Sequence, residues 1–219
     1  MTTWFLDFDD TLAVGPVTWA LNEVLPRLIA ENHLPYDAVQ FEAATLHAQE
    51  QSNTDAGDAA VIDDLFNTLG WPDSLKADLL TRTFDEYRPT LYEDTVEFLD
   101  YLSGQSAAVY ILSNNNHAAD MATHLGIAHY FKDIFTPKSC GGVRGKPQRA
   151  MWDFVIAKGI AQTPETIALV GDDPWSDGAF ADSCELPCWI LDRMSRFGHL
   201  YPAKPYRWVR SFREIMGQA

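Results

Sequence analysis

Cysteine is scarce in this chain of 219 residues: Cys140, Cys184 and Cys188 are the whole set, with no CxxC pair. An odd count at those spacings offers neither a disulfide framework nor a zinc cage, so reduced thiols are expected. Cys184 and Cys188 flank Pro187 just before an apolar run and read as buried structural thiols. Positive charge is also short, with 16 Lys+Arg against 31 Asp+Glu and a formal net charge of −15. That balance disfavours a nucleic-acid backbone or an anionic membrane as partner. No apolar run reaches the roughly 20 residues needed to span a bilayer. Met1-Thr2-Thr3 leads into a strand pattern without a basic leader. A soluble, cytoplasmic protein with no membrane and no nucleic-acid polymer among its partners is therefore expected. Internal repeats and low-complexity tracts are lacking as well, and nothing in the composition sets an oligomeric state.

What the chain does contain is a series of short apolar, β-prone runs: Thr3 to Phe8, Ala107 to Leu112, Ile134 to Thr136, Ile167 to Val170, Cys188 to Leu191 and Tyr206 to Val209. Helical patterns lie between most of them, such as Leu91 to Leu102 and Arg149 to Lys158, each with an apolar face. Alternating β and α elements predict an α/β fold with a doubly wound, Rossmann-like parallel sheet. The interval from Gly15 to Thr90 differs. It holds helical stretches at Val17 to Glu31, Tyr36 to Gln49, Ala59 to Leu69 and Ser74 to Tyr87 and no convincing strand. We expect a core of residues 1–14 and 91–219 with an inserted all-helical domain of residues 15–90, its ends punctuated by Gly15-Pro16 and Arg88-Pro89.

The first strand run ends in Asp7-Phe8-Asp9-Asp10-Thr11. Residues two apart on a strand point the same way, so Asp7 and Asp9 would project toward one point. Carboxylates that close repel unless a cation neutralises them, which suits a hard, oxygen-preferring divalent ion such as Mg²⁺. An acidic turn with Asp9 or Asp10 capping a helix is the plainer alternative, and the motif alone leaves both open. Later segments add weight to a site. The second run ends at Ser113-Asn114, Ile167 to Val170 ends at Gly171-Asp172-Asp173, and Lys146-Pro147 lies in a glycine-rich loop between them. In an open α/β sheet, ligands bind beyond the carboxyl ends of parallel strands, where such groups can meet.

The order DxDxT, SN, KP and GDD, with a further Asp177, closely resembles the four motifs of the haloacid dehalogenase superfamily across essentially the whole chain. The match is to its phosphatase type with a helical cap between the first and second motifs. The resemblance implies that Asp7 is the nucleophile, forming an aspartyl-phosphate, and also a Mg²⁺ ligand. Asp9 would be the acid and base, with its backbone carbonyl on the metal. Phosphate would be held by Asp7, Asp9, Asp10, Thr11, Ser113, the Asn114 backbone amide and Lys146, and the metal shell completed by Asp172 or Asp173, with Asp177 orienting that shell or Lys146. Lys138 competes with Lys146, which the following Pro147 favours. Thr11 reads equally as a loop or Asp9 support and as a helix N-cap. Asn115 and Asn116 receive no role, His117 reads as a helix start, and Trp175 as packing. The implied activity is Mg²⁺-dependent hydrolysis of a small phosphorylated metabolite, such as a sugar phosphate, a phosphoglycolate-like compound or a nucleoside monophosphate. A phosphomutase of the same superfamily and a noncatalytic binding relative are the alternatives. Asp9 separates the chain from true dehalogenases, which lack an acid there, and the insertion's single lysine, Lys76, sits in a late amphipathic stretch rather than at the entry, where phosphonate hydrolases need one.

Overall fold

A computed structural model describes residues 2–52, 58–160, 166–201 and 203–218. The chain divides into two compact units, Met1–Val14 with Pro89–Ala219, and Gly15–Arg88. Pro89 and Thr90 group with the first unit, where the Thr90 carbonyl accepts a hydrogen bond from the Val14 N–H at 2.9 Å.

The first unit is built on six parallel strands: β1 (Thr3–Leu6), β2 (Ala108–Leu112), β3 (Ile134–Phe135), β4 (Ile167–Gly171), β5 (Cys188–Leu191) and β6 (Arg207–Val209). Their order is β3-β2-β1-β4-β5-β6. The chain winds outward from β1 through β2 and β3, then returns to the far side of β1 for β4 to β6. This reversal opens a crevice at the carboxyl ends of β1, β2 and β4. Leu6 lies level with Ile111 and Val170, so the residues that follow each strand emerge side by side.

Alternation along the strands explains the layers. Trp4, Leu6, Ile111 and Val170 face one way, against Phe98, Leu99 and Leu102 of the helix Thr95–Gly104 and Phe212 and Ile215 of the helix Phe212–Gln218. Phe5, Leu112, Leu169 and Ile190 face the other way, against Met151, Trp152 and Val155 of the helix Ala150–Ala157 and Phe180 and Ala181 of the helix Ala179–Cys184. The helices of this unit are α6 (Thr95–Gly104), α7 (Ala118–His124), α8 (Ala150–Ala157), α9 (Ala179–Cys184) and α10 (Phe212–Gln218). Phe98 and Phe212 stack at 4.3 Å between ring centroids, tying α6 to α10. All three cysteines are buried and free.

Helix α6 starts at Thr95 rather than at Leu91 because the preceding residues serve the first loop. Leu91 bridges Ala13, the Tyr92 N–H donates to the Leu12 carbonyl, and the Thr95 hydroxyl donates to the same oxygen.

The regular structure of the second unit's described residues is helical: α1 (Pro16–Trp19), α2 (Leu25–Glu31), α3 (Ala38–Ser52), α4 (Asp58–Leu69) and α5 (Asp73–Glu86). The stretch expected as one helix from Val17 is interrupted by a wide turn at Ala20–Val24, where the Leu25 N–H reaches back to the Ala20 carbonyl. Pro26 is the cause, since it has no N–H to donate to the preceding turn. The unit has its own core of Val24, Leu28, Phe66, Trp71, Leu75 and Leu79. Small Ala44 and Ala48 pack with Val61 and Leu65 where α3 meets α4. No helix among the described residues is long and apolar enough to cross a membrane.

Candidate active site

The loop after β1 is fixed from below by burying Phe8, Leu12 and Ala13 completely. The Leu12 and Ala13 N–H groups both donate to the Phe8 carbonyl, and Asp10 adopts a left-handed conformation with φ of 55° to close the turn. A non-glycine residue there is uncommon and is held only where its surroundings demand it. Neither acid caps a helix, contrary to the plainer expectation. Asp9 Oδ2 accepts from the Asn115 amide at 2.9 Å and Asp10 Oδ1 from the Tyr92 hydroxyl at 3.2 Å.

Asp7 is anchored by its N–H, which donates to the Val170 carbonyl of β4 at 2.8 Å. Its Oδ1 lies 2.9 Å from Lys146 Nζ, and the same ammonium forms a short contact with Asp177. The Lys146 side chain is 1% exposed. Burial alone would push its ammonium toward neutrality, but the charges of Asp177 and Asp7 outweigh that and raise its pKa. Lys146 is positioned by a reciprocal clamp: its N–H donates to Asn114 Oδ1 at 2.7 Å and its carbonyl accepts from Asn114 Nδ2 at 2.9 Å. Gly145 is needed here because a Cβ would collide with the Asn114 amide oxygen. The competing Lys138 is exposed and engages Asn116 through its backbone N–H.

On the far side, carboxylate oxygens of Asp7, Asp172 and Asp177 lie within 4.8 Å of one another. Asp173 is outside this group; its Oδ1 accepts from the N–H groups of Trp175 and Ser176 and caps the turn Pro174–Gly178. Gly171 lets Asp177 approach, since a Cβ there would overlap the Asp177 carboxylate. Burial, then the charges of Asp10, Asp177 and Asp7, raise the Asp172 carboxyl well above its ordinary value. Burial also pushes Asp177 up to about 7, against the pull of Lys146. Three converging acids with one buried ammonium leave negative charge uncompensated, and an all-oxygen donor set of this kind fits a hard divalent cation.

Ser113 is buried just past the carboxyl end of β2, its Oγ accepting from the Asn115 N–H at 3.2 Å. Thr11 follows neither expectation: its hydroxyl is wholly buried and bonds neither Asp9 nor a helix start. The Thr11 carbonyl accepts instead from Arg193 Nη2 at 3.1 Å. Arg193 stands 3.0 Å from Asp94 and lies over the Tyr92 ring at 4.1 Å. Sequence reasoning missed Asn115, Tyr92, Asp94 and Arg193. Only Asn115 carried a signal, standing two residues beyond Ser113 at a strand end. His117 starts α7 as expected, and Trp175 packs edge-on against Phe197.

Residues 1–184 match the model of a hydrolase family, described as haloacid dehalogenase-like hydrolase. The chain belongs to that family. By sequence, no curated protein matches it. Among solved structures it is similar to the HAD-hydrolase YfnB of Bacillus subtilis bound to magnesium, with 18% identity, a TM-score of 0.71 and coverage of 99% of this chain and 97% of that one. It is also similar to a predicted phosphoglycolate phosphatase of Haemophilus somnus 129pt, at 17% identity and TM-score 0.65 over 100% of this chain and 97% of that one. The L-2-haloacid dehalogenase RSc1362 is 16% identical with a TM-score of 0.66, over 100% and 99% of the two chains. Identities this low establish the shared fold, and the family includes both phosphatases and dehalogenases.

Proposed function

We propose that the chain is a Mg²⁺-dependent phosphomonoester hydrolase acting on a small phosphorylated metabolite through an aspartyl-phosphate on Asp7. The observation that carries this is the meeting of Asp7, Asp172 and Asp177 at one point beside Lys146, with a second acid, Asp9, two residues along the same loop. That second acid favours phosphorus over the carbon centre of a dehalogenase, because a poor alkoxide leaving group needs a proton donor and a halide does not.

Asp7, Asp172 and Asp177 would hold the metal, Asp177 while also fixing Lys146. When bound, Mg²⁺ supplies positive charge to a nonbridging phosphate oxygen. The Asp7 carboxylate attacks phosphorus as the ester P–O bond breaks, and Asp9 gives its proton to the departing alkoxide. Lys146, the Ser113 hydroxyl and the Asn114 backbone N–H face the charge that spreads over the nonbridging oxygens. Water then adds to phosphorus with its proton passing to Asp9, and Asp7 is released. The helical unit, Gly15–Arg88, serves in this reading as a cap that excludes bulk water and contacts the organic part of the substrate.

The test is phosphate release from a panel of sugar phosphates, phosphoglycolate and nucleoside monophosphates, with Mg²⁺ and with EDTA. Turnover of at least one ester that EDTA silences is expected. No release from any member of the panel, or release indifferent to EDTA, would overturn the proposal.

A further inference from the structure

Asn115 lies outside the motif residues and is fixed by several hydrogen bonds. Its N–H donates to Ser113 Oγ at 3.2 Å, its Oδ1 accepts from the His117 N–H at 2.8 Å, and its Nδ2 donates to Asp9 Oδ2 at 2.9 Å. The amide orientation is determined by this network. Only an amide oxygen can accept from the His117 N–H, so the NH₂ end must face Asp9. The first two bonds close a short loop at the carboxyl end of β2, ahead of α7, and the third crosses 106 residues of sequence. Met121 Sδ, 3.4 Å from Nδ2, backs the amide from α7.

We propose that Asn115 is a positioning residue for Asp9, fixing which carboxyl oxygen carries the transferable proton. This rests on the phosphatase reading of the same site. An oxygen that accepts from an N–H is a poor place for a proton, so the Asn115 bond reserves Oδ2 as acceptor and assigns the proton to Oδ1. In the first half-reaction the Asp7 O–P bond forms, the ester P–O bond breaks, and the Oδ1 proton moves to the leaving oxygen. In the second, water forms its bond to phosphorus, the Asp7 O–P bond breaks, and the water proton returns to Oδ1. The charge that appears on the carboxylate in the first step is met by a donor already in place, so no reorganisation is needed then. Two consecutive asparagines thus divide the work: Asn114 places Lys146 and Asn115 places Asp9.

The experiment compares kcat and KM of wild type, Asn115→Ala, Asn115→Asp and Asp9→Asn across phosphate esters of graded leaving-group acidity, from an alkyl phosphate to p-nitrophenyl phosphate. Asn115→Ala is expected to lose about tenfold in kcat on alkyl phosphate and about twofold or less on p-nitrophenyl phosphate, since only the poor leaving group needs the proton. KM should hardly change. Asn115→Asp keeps the shape, removes the donor and sets a second carboxylate against Asp9, so it should be as slow or slower. In the Asp9→Asn background, Asn115→Ala should cost less than about twofold more, because the two act as one unit. Equal losses across leaving groups, or full additivity in the double variant, would overturn the proposal and leave the phosphatase reading standing. Wild type that releases no phosphate would instead end the phosphatase reading. A crystal structure of Asn115→Ala then decides the positioning claim by itself: a displaced or multiply oriented Asp9 carboxylate supports it, and an unmoved one refutes it.

Discussion

The two units both carry ion pairs on their surfaces, but they differ in whether they also bury charge. The sheet unit buries Asp7, Asp94, Lys146, Asp177 and Asp192, whereas the only buried polar residue among the described residues of the helical unit is Thr45, whose hydroxyl simply returns to the Phe41 carbonyl. The helical unit's ion pairs lie on its surface, as with Arg27–Glu86, where both side chains are more than two-fifths exposed. Burying an ion costs several kcal/mol unless its partners are well placed. A chain that accepts that cost in one unit and avoids it in the other has concentrated its chemistry in the first. The second is held by apolar packing, and its surface can change without unfolding it.

The strongest challenge to this contrast is Asp7→Asn. Turnover should fall by at least about 10³-fold, because a neutral amide is a poor nucleophile, while the protein still unfolds cooperatively. Arg82→Ala, which breaks surface pairs with Glu31 and Asp78, should change kcat by less than about twofold. Steady-state phosphate release checks both, and undiminished activity in Asp7→Asn would sink the nucleophile assignment.

Stability should divide along the same line. Lys146→Met leaves Asp7 and Asp177 facing each other without their ammonium, and removing one partner of a buried pair costs about 3 kcal/mol or more. Denaturant unfolding in EDTA measures it. Arg82→Met should shift the midpoint far less, since both of its partners are exposed to water. Equal shifts would erase the distinction between the units.

A smaller effect sharpens the comparison through pH. Burial holds Asp177 at about 7 against an ordinary 3.8, so between those values the native protein keeps a proton that the unfolded chain has lost. The unfolded state then binds fewer protons, and this contribution to stability is present below about pH 4 and lost as pH rises through about 7. Asp172 shifts in the same direction, from burial and its acidic neighbours. In EDTA, the stability advantage of wild type over Asp177→Asn should therefore shrink from about pH 5 to about pH 7.5. Denaturant midpoints across that range give the answer, and an advantage that grows with pH would reverse the assignment. Mg²⁺, which needs ionised carboxylates, should offset the loss and displace protons when it binds.

The sheet and the acids at its strand ends were legible because each strand is a short β-branched or aromatic run that stops at polar residues, a local signal. The face alternation of Trp4, Phe5 and Leu6 follows from the same local rule. Lys146 was legible through the proline after it. Arg193 and Asp94 were not, because their role depends on contacts across 182 and 99 residues of sequence and on the Thr11 carbonyl, a backbone atom that no residue pattern advertises. Asp94 in particular falls within the helix expected from Leu91 to Leu102, yet its carboxylate receives Arg193 and the Phe212 N–H. The wide turn at Ala20–Val24 could have been read from Pro26, but apolar periodicity masks a single missing hydrogen bond.

The smallest expected effect concerns the helical unit's surplus of acids. Between Gly15 and Thr90 the sequence holds thirteen acids and four bases, Arg27, Lys76, Arg82 and Arg88, a balance of 4 − 13 = −9. Three of these bases are engaged by acids, Arg27 by Glu86, Lys76 by Asp63 and Asp73, and Arg82 by Glu31 and Asp78. These pairs leave little positive charge to greet a polyanion. If the helical unit acts as the proposed cap, its charge should disfavour ligands with several phosphates relative to one. Because the acids are solvated, the effect should be modest and should shrink with ionic strength, as the screening length falls to about 8 Å at physiological salt. The measurement is kcat/KM for a matched nucleoside mono-, di- and triphosphate series at low and physiological ionic strength. The monophosphate should lead at both, with the wider margin at low salt. A margin that ignores salt would assign the selectivity to the site alone, and a preference for the triphosphate at both ionic strengths would defeat the proposal that this unit helps select the substrate.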